Sequence, residues 1–91
     1  GSAVYYHANG AIKEEGTFIN GKRLGSWFQY TSNGELTSVA AFHNDKKEGK
    51  WVIWDDAGKV RFEMYYSEGK IVGTWKMWDA EGTLTTKTFE Q

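Results

Sequence analysis

A 24-residue period runs along this chain and constrains its fold more than any other feature. Gly25, Gly49 and Gly73 are evenly spaced, and Trp27, Trp51 and Trp75 follow at the same interval. Tyr30, Trp54 and Trp78 continue the period. So do Gly10, Gly34, Gly58 and Gly82, then Ile12, Leu36, Val60 and Leu84, and finally Phe18, Phe42 and Tyr66. Self-similarity at such an interval marks a repeat architecture, in which each unit lends its neighbour the shelter that it cannot build alone. Residues 1–3 read as an expression-tag remnant. Residues 4–91 read as the repeat domain, with units 4–24 (partial), 25–48, 49–72 and 73–91.

Each unit supplies two strands and two turns. The first strand is expected over 25–31, 49–55 and 73–79; the second over 11–18, 35–42, 59–66 and 83–89. Ser32-Asn33-Gly34, Asp56-Ala57-Gly58 and Ala80-Glu81-Gly82 join them. Return turns fall at Ile19-Asn20-Gly21-Lys22, His43-Asn44-Asp45-Lys46 and Ser67-Glu68-Gly69-Lys70, where Asn, Asp and Gly tolerate positive φ. No segment places apolar residues at helical spacing. The fold class is therefore all-β: an antiparallel β-hairpin repeat array, a meander of about seven or eight strands in one elongated sheet, ~35 Å across at ~4.8 Å per strand.

Alternation along a strand assigns faces. Leu36, Ser38, Ala40 and Phe42 should share one face, as should Val60, Phe62, Met64 and Tyr66, and Ile12, Glu14, Gly16 and Phe18. That face is the better core candidate. Trp27 and Tyr30 should point to opposite faces. In the last unit Phe89 arrives one residue early relative to Tyr66, which predicts fraying or a bulge.

Composition narrows the function classes. Without cysteine, disulfides and thiolate metal sites are excluded. A net charge of -1 gives no general attraction to nucleic acid or anionic membrane. The longest uncharged run, residues 24–34, is far short of the ~18 residues that a helical span requires. Fifteen aromatics, five of them Trp, need cover that only neighbouring units can give.

The runs Gly21-Lys-Arg-Leu-Gly25-Ser-Trp27-Phe-Gln-Tyr30-Thr-Ser-Asn-Gly34-Glu-Leu36 and Gly69-Lys-Ile-Val-Gly73-Thr-Trp75-Lys-Met-Trp78 resemble MORN-variant repeats, found in bacterial proteins labelled YwqK-like antitoxin components. The resemblance covers residues 5–84 and implies a hairpin array that associates with protein or lipid. Related repeats accompany some lipid kinases, but this chain has no glycine-rich nucleotide loop and no kinase catalytic loop. The segment Trp27-Phe28-Gln29-Tyr30-Thr31-Ser32-Asn33-Gly34 also resembles cell-wall-binding repeats, whose Trp and Tyr cages hold choline or glucan. Those repeats are shorter and lack the Gly-Lys-x-x-Gly return turn.

Catalytic chemistry finds no footing in the sequence. His7 and His43 lie one and a half units apart and read as exposed turn residues. Asp55, Asp56, Asp79 and Glu81 read as solvated turn carboxylates, and nothing singles out a working pair among Glu14, Glu15 and Glu63. No cofactor, metal site or catalytic residue is assigned. The expected function is a non-catalytic scaffold that binds another protein, with a phospholipid headgroup or a glycan as the other ligand classes and nucleic acid not expected. Tyr30, Trp54 and Trp78 are the candidate exposed ring strip. Lys22, Lys46 and Lys70 are the candidate phosphate- or acid-facing rim. Open sheet edges would also allow edge-to-edge association between copies.

Overall fold

The computed structural model describes residues 1–89. The described residues form nine strands: β1 (Ser2–Tyr6), β2 (Ile12–Ile19), β3 (Lys22–Tyr30), β4 (Leu36–His43), β5 (Lys46–Lys47), β6 (Gly49–Trp54), β7 (Val60–Ser67), β8 (Lys70–Trp78) and β9 (Leu84–Phe89). They build one antiparallel sheet in the order β1-β2-β3-β4-β6-β7-β8-β9, with β5 pairing β4. No helix occurs among them, and hence no helical membrane span. The slab measures 36 × 32 × 12 Å. Twelve ångströms is one layer of sheet, since two packed sheets stand about 10 Å apart before their outer faces are counted.

The return turns are tight because both central residues are left-handed. φ is 53° at Asn20 and 77° at Gly21, 50° at Asn44 and 68° at Asp45, and 51° at Glu68 and 84° at Gly69. Two consecutive positive φ values are the type I′ geometry, whose twist suits a two-residue hairpin. Glu68 is the poorest fit, because its Cβ crowds the backbone in that region. Its N–H donates to Glu48 Oε2 at 2.6 Å, a bond that needs no Glu68 side chain. Glu68→Gly should therefore stabilise the fold by about 0.5–1 kcal/mol. A thermal melt should show the midpoint rising by roughly 2–8 °C.

Two irregularities recur with the repeat. The first explains the glycine two residues before each Trp. Thr17 pairs Leu24 and Glu15 pairs Phe28, so Gly25, Ser26 and Trp27 face Gly16 alone. Tyr65 pairs Val72 and Glu63 pairs Lys76, so Gly73, Thr74 and Trp75 face Met64 alone. Between them, the same excess separates Phe42↔Lys47 from Val39↔Val52, and divides one long strand into β5 and β6. Gly25, Gly49 and Gly73 take φ of 76°, 95° and 71° within these bulges, values that most other residues would resist.

The second irregularity corrects the expected faces. Gln29 pairs Ser38, but the next pair is Tyr30↔Leu36, leaving Thr37 over. Arg61 is left over between Phe62↔Ile53 and Val60↔Trp54, and Lys13 between Glu14↔Tyr5 and Ile12↔Tyr6. A single extra residue reverses the alternation beyond it. Leu36, Val60 and Ile12 therefore leave the face of Ser38, Phe62 and Glu14 and join the opposite one. The last hairpin departs from the expected fraying or bulge. Its pairs run without a shift from Gly73↔Phe89 to Trp78↔Leu84. The residue missing from this unit is the bulge residue itself, so its absence makes the ladder regular.

Candidate functional site

The ring row defines the front of the sheet. Phe18, Trp27, Phe42, Trp51 and Tyr66 follow one another with centroids 5.0, 6.4, 5.3 and 5.4 Å apart. Such pairs contribute about 0.5–1.5 kcal/mol each beyond the area that they bury. Only Trp27, 2% exposed, and Met64, 9%, are buried apolar residues among those described. Trp27 sinks deepest because Gly16 lies beneath its ring. The equivalent positions hold Ala40 and Met64. Met64 occupies the place beside Trp75, and Trp75 instead stacks on Phe62 at 6.3 Å, with Phe89 on its far side at 6.1 Å. The Trp51 indole N–H donates to the Ala41 carbonyl at 3.1 Å, whereas those of Trp27 and Trp75 are buried without a described acceptor.

Cations cover the rings from the return-turn side. The Arg23 guanidinium lies 4.9 Å from the Trp27 centroid and 5.1 Å from that of Phe42. Lys47 Nζ lies 4.9 Å from both Trp51 and Tyr66. Desolvated contacts of this kind are worth about 0.5–2 kcal/mol. Neither cation is in an ion pair among the described residues, whose pairs are Lys50–Glu63 at 3.7 Å and Arg61–Asp55 at 3.6 Å. Between Trp27 and Trp51 the face opens into a groove of about 300 Å³. Ser38 and Ala40 line it, with Arg23 also in its wall. A short polar chain borders it: Gln29 Nε2 donates to Glu14 Oε2 at 2.9 Å, and the Ser38 hydroxyl donates to Gln29 Oε1 at 3.0 Å.

The sequence-predicted binding residues lie elsewhere. Tyr30, Trp54 and Trp78 are all half-buried. The Tyr30 hydroxyl donates to Glu15 Oε2 at 2.8 Å, on the face opposite Trp27. That bond first, then partial burial and the Glu15 charge, hold the phenol above the ordinary tyrosine range. Trp54 borders both the groove and a shallower hollow of about 520 Å³ beside Leu36 and Gly58. The Trp78 carbonyl accepts from Arg61 Nε at 2.6 Å. Lys22, Lys46 and Lys70 are exposed at the return turns, each one residue ahead of the position that faces the rings. Arg23 and Lys47 were missed as candidates. Their signal was present, since each stands four residues before a Trp and so shares its face.

The remaining candidates resolve into structure. His7 is half-buried rather than exposed, and its Nε2 lies 2.8 Å from the Tyr30 carbonyl. Glu14 and Glu15 are neighbours on opposite faces of β2, remote from Glu63 on β7. No group of three or more His, Asp or Glu side chains suited to a metal occurs among the described residues. Asp55 and Asp79 cap their turns. Asp55 Oδ1 accepts from the Lys59 and Ala57 N–H groups at 3.0 and 2.9 Å, and Asp79 does the same for Thr83 and Glu81. The bond from Lys59, then that from Ala57 and the nearby Arg61, hold Asp55 below the ordinary carboxylate range against a smaller opposing effect of burial. A depressed carboxylate stabilises the fold above its unfolded pKa, ~3.9, and loses that contribution as pH falls through the lower folded value. Asp55→Asn, which keeps an acceptor oxygen, should flatten this acid limb in urea midpoints measured between about pH 5 and pH 2.

The class defined by these features is a single-layer sheet of repeated hairpins, consistent with a MORN repeat. The family model described as MORN repeat variant matches residues 1–20 and 47–68. The matched segments end at Asn20 and Glu68, the same position two periods apart, so both fall in one phase of the repeat. No curated protein and no solved structure matches the chain.

Proposed function

We propose that this chain is a non-catalytic repeat scaffold that binds another protein on its front face, in the manner of MORN-variant, antitoxin-like components. MORN repeats are generally protein- or membrane-binding repeats, and the matched segments bring that general role to bear here. The observation that carries the choice of face is the groove between Trp27 and Trp51, flanked by cations without ion-pair partners. Interfaces favour this combination of aromatic residues and Arg around an apolar centre. The lysine rim of Lys22, Lys46 and Lys70 is a second contact at the return-turn margin. Carbohydrate binding is disfavoured on the front face, because a sugar needs an open ring platform and these rings meet one another edge-on beneath cations.

Cross-linking of the full chain in the cells that make it, followed by mass spectrometry, tests this. A protein should be joined through Lys47 or Lys22, while soluble glucan and choline leave the tryptophan fluorescence unchanged. Quenching by either compound would favour the sugar reading. Salt-sensitive co-sedimentation with anionic vesicles, lost when Lys22, Lys46 and Lys70 become Glu, would favour the lipid reading.

A further inference from the structure

The groove occurs at one place because the repeat is not uniform there. Ser38 and Ala40 stand where the next unit has Phe62 and Met64. In that next unit the corresponding space is taken up: Met64 is buried, and Phe62 stacks against Trp75. Two small residues in the first position thus leave a gap of about 300 Å³ between Trp27 and Trp51. A space of this size suits one large side chain rather than a whole ligand, since small-molecule pockets begin at about that volume. Charge adds a direction. Arg23 closes the groove at the return-turn end, with Lys47 beside it over Trp51, and neither has a carboxylate partner among the described residues. Glu14 lies at the other end, its Oε2 engaged by Gln29.

We propose that the groove is a docking slot for a protein segment carrying one bulky apolar side chain, seated between Trp27 and Trp51, with an Asp or Glu beside it that meets Arg23 and Lys47. This deepens the protein-binding reading and rests on it. The anchor replaces the side chains that Phe62 and Met64 supply one unit later, and the acidic neighbour supplies the anion that the two cations lack. A basic neighbour at that end would meet like charge and be rejected.

The experiment is selection from a phage-displayed random peptide library on the full chain, followed by fluorescence-anisotropy titration of the enriched peptides. These should share a large apolar residue adjacent to Asp or Glu. Ser38→Phe combined with Ala40→Met fills the slot with the residues that the next unit already packs there, so the variant should fold. It should bind the peptides at least about tenfold more weakly. If the variant does not fold, Arg23→Gln, which keeps most of the stem over the rings, should weaken the same peptides by roughly tenfold while leaving the melt close to that of the parent. Enrichment of peptides without the apolar–acidic pattern, no enrichment at all, or undiminished binding to the filled variant would overturn the slot. A cross-linked partner alongside peptides indifferent to filling leaves the scaffold standing and removes only this proposal. Absence of any protein partner removes the scaffold reading itself.

Discussion

Trp27→Ala should cost about 3–5 kcal/mol and lower the melting midpoint by at least about 12 °C. Trp27 is the one fully buried large side chain among the described residues, and its ring touches units on both sides through Phe18 and Phe42. A single layer has no second sheet to collapse into the space. Marginal stability of about 5–15 kcal/mol leaves little reserve against such a loss. Trp51→Ala and Trp75→Ala should cost less, because both rings are half-exposed. Trp27→Phe is the informative contrast. It keeps a ring between Phe18 and Phe42 and removes an indole N–H that has no described acceptor. An unsatisfied buried donor is itself unfavourable, so this change should cost about 1–2 kcal/mol. Urea unfolding followed by circular dichroism checks the series.

Gly16→Ala should cost about 1–3 kcal/mol, although alanine ordinarily suits a strand better than glycine. The reason is contact alone. A Cβ at Gly16 would stand 2.1 Å from Trp27 Cδ2 and 2.3 Å from Cε2, far inside van der Waals distance. Trp27 would have to rise from the sheet and loosen its packing against Phe18. The effect should therefore depend on the ring. In a Trp27→Ala background, Gly16→Ala should be nearly neutral, a coupling of about 1–3 kcal/mol in a double-mutant cycle. Additive costs would show that Gly16 acts through its backbone and not through Trp27.

Much of this architecture could be read from the period. Strand positions, return turns and the opposition of Trp27 and Tyr30 follow from spacing and alternation, which depend on local geometry. The bulges could not be read this way. Thr37, Arg61 and Lys13 carry no composition that marks them as unpaired, yet each reverses the face of the apolar residue just before it. The early Phe89 suggested an irregularity, but with the bulges in place its meaning inverts. The ring-covering cations could have been found by counting back from each Trp, which shows Arg23 and Lys47 on the Trp face and their lysine neighbours off it. The groove needed three dimensions. Ser38 and Ala40 read as ordinary core positions until Phe62 and Met64 show what the same sites can hold.

The central claim is that each unit's Trp lies on one front face and is sheltered by its neighbours, with Trp27 seated directly on Gly16. Proton NMR of the full chain tests it at that point. The Gly16 α-protons should be shifted strongly upfield by the indole ring current and should show nuclear Overhauser contacts to Trp27, which in turn contacts the Phe18 and Phe42 rings. Gly16 α-protons at ordinary shifts, with no contact to Trp27, would contradict the ring row and the binding face built upon it.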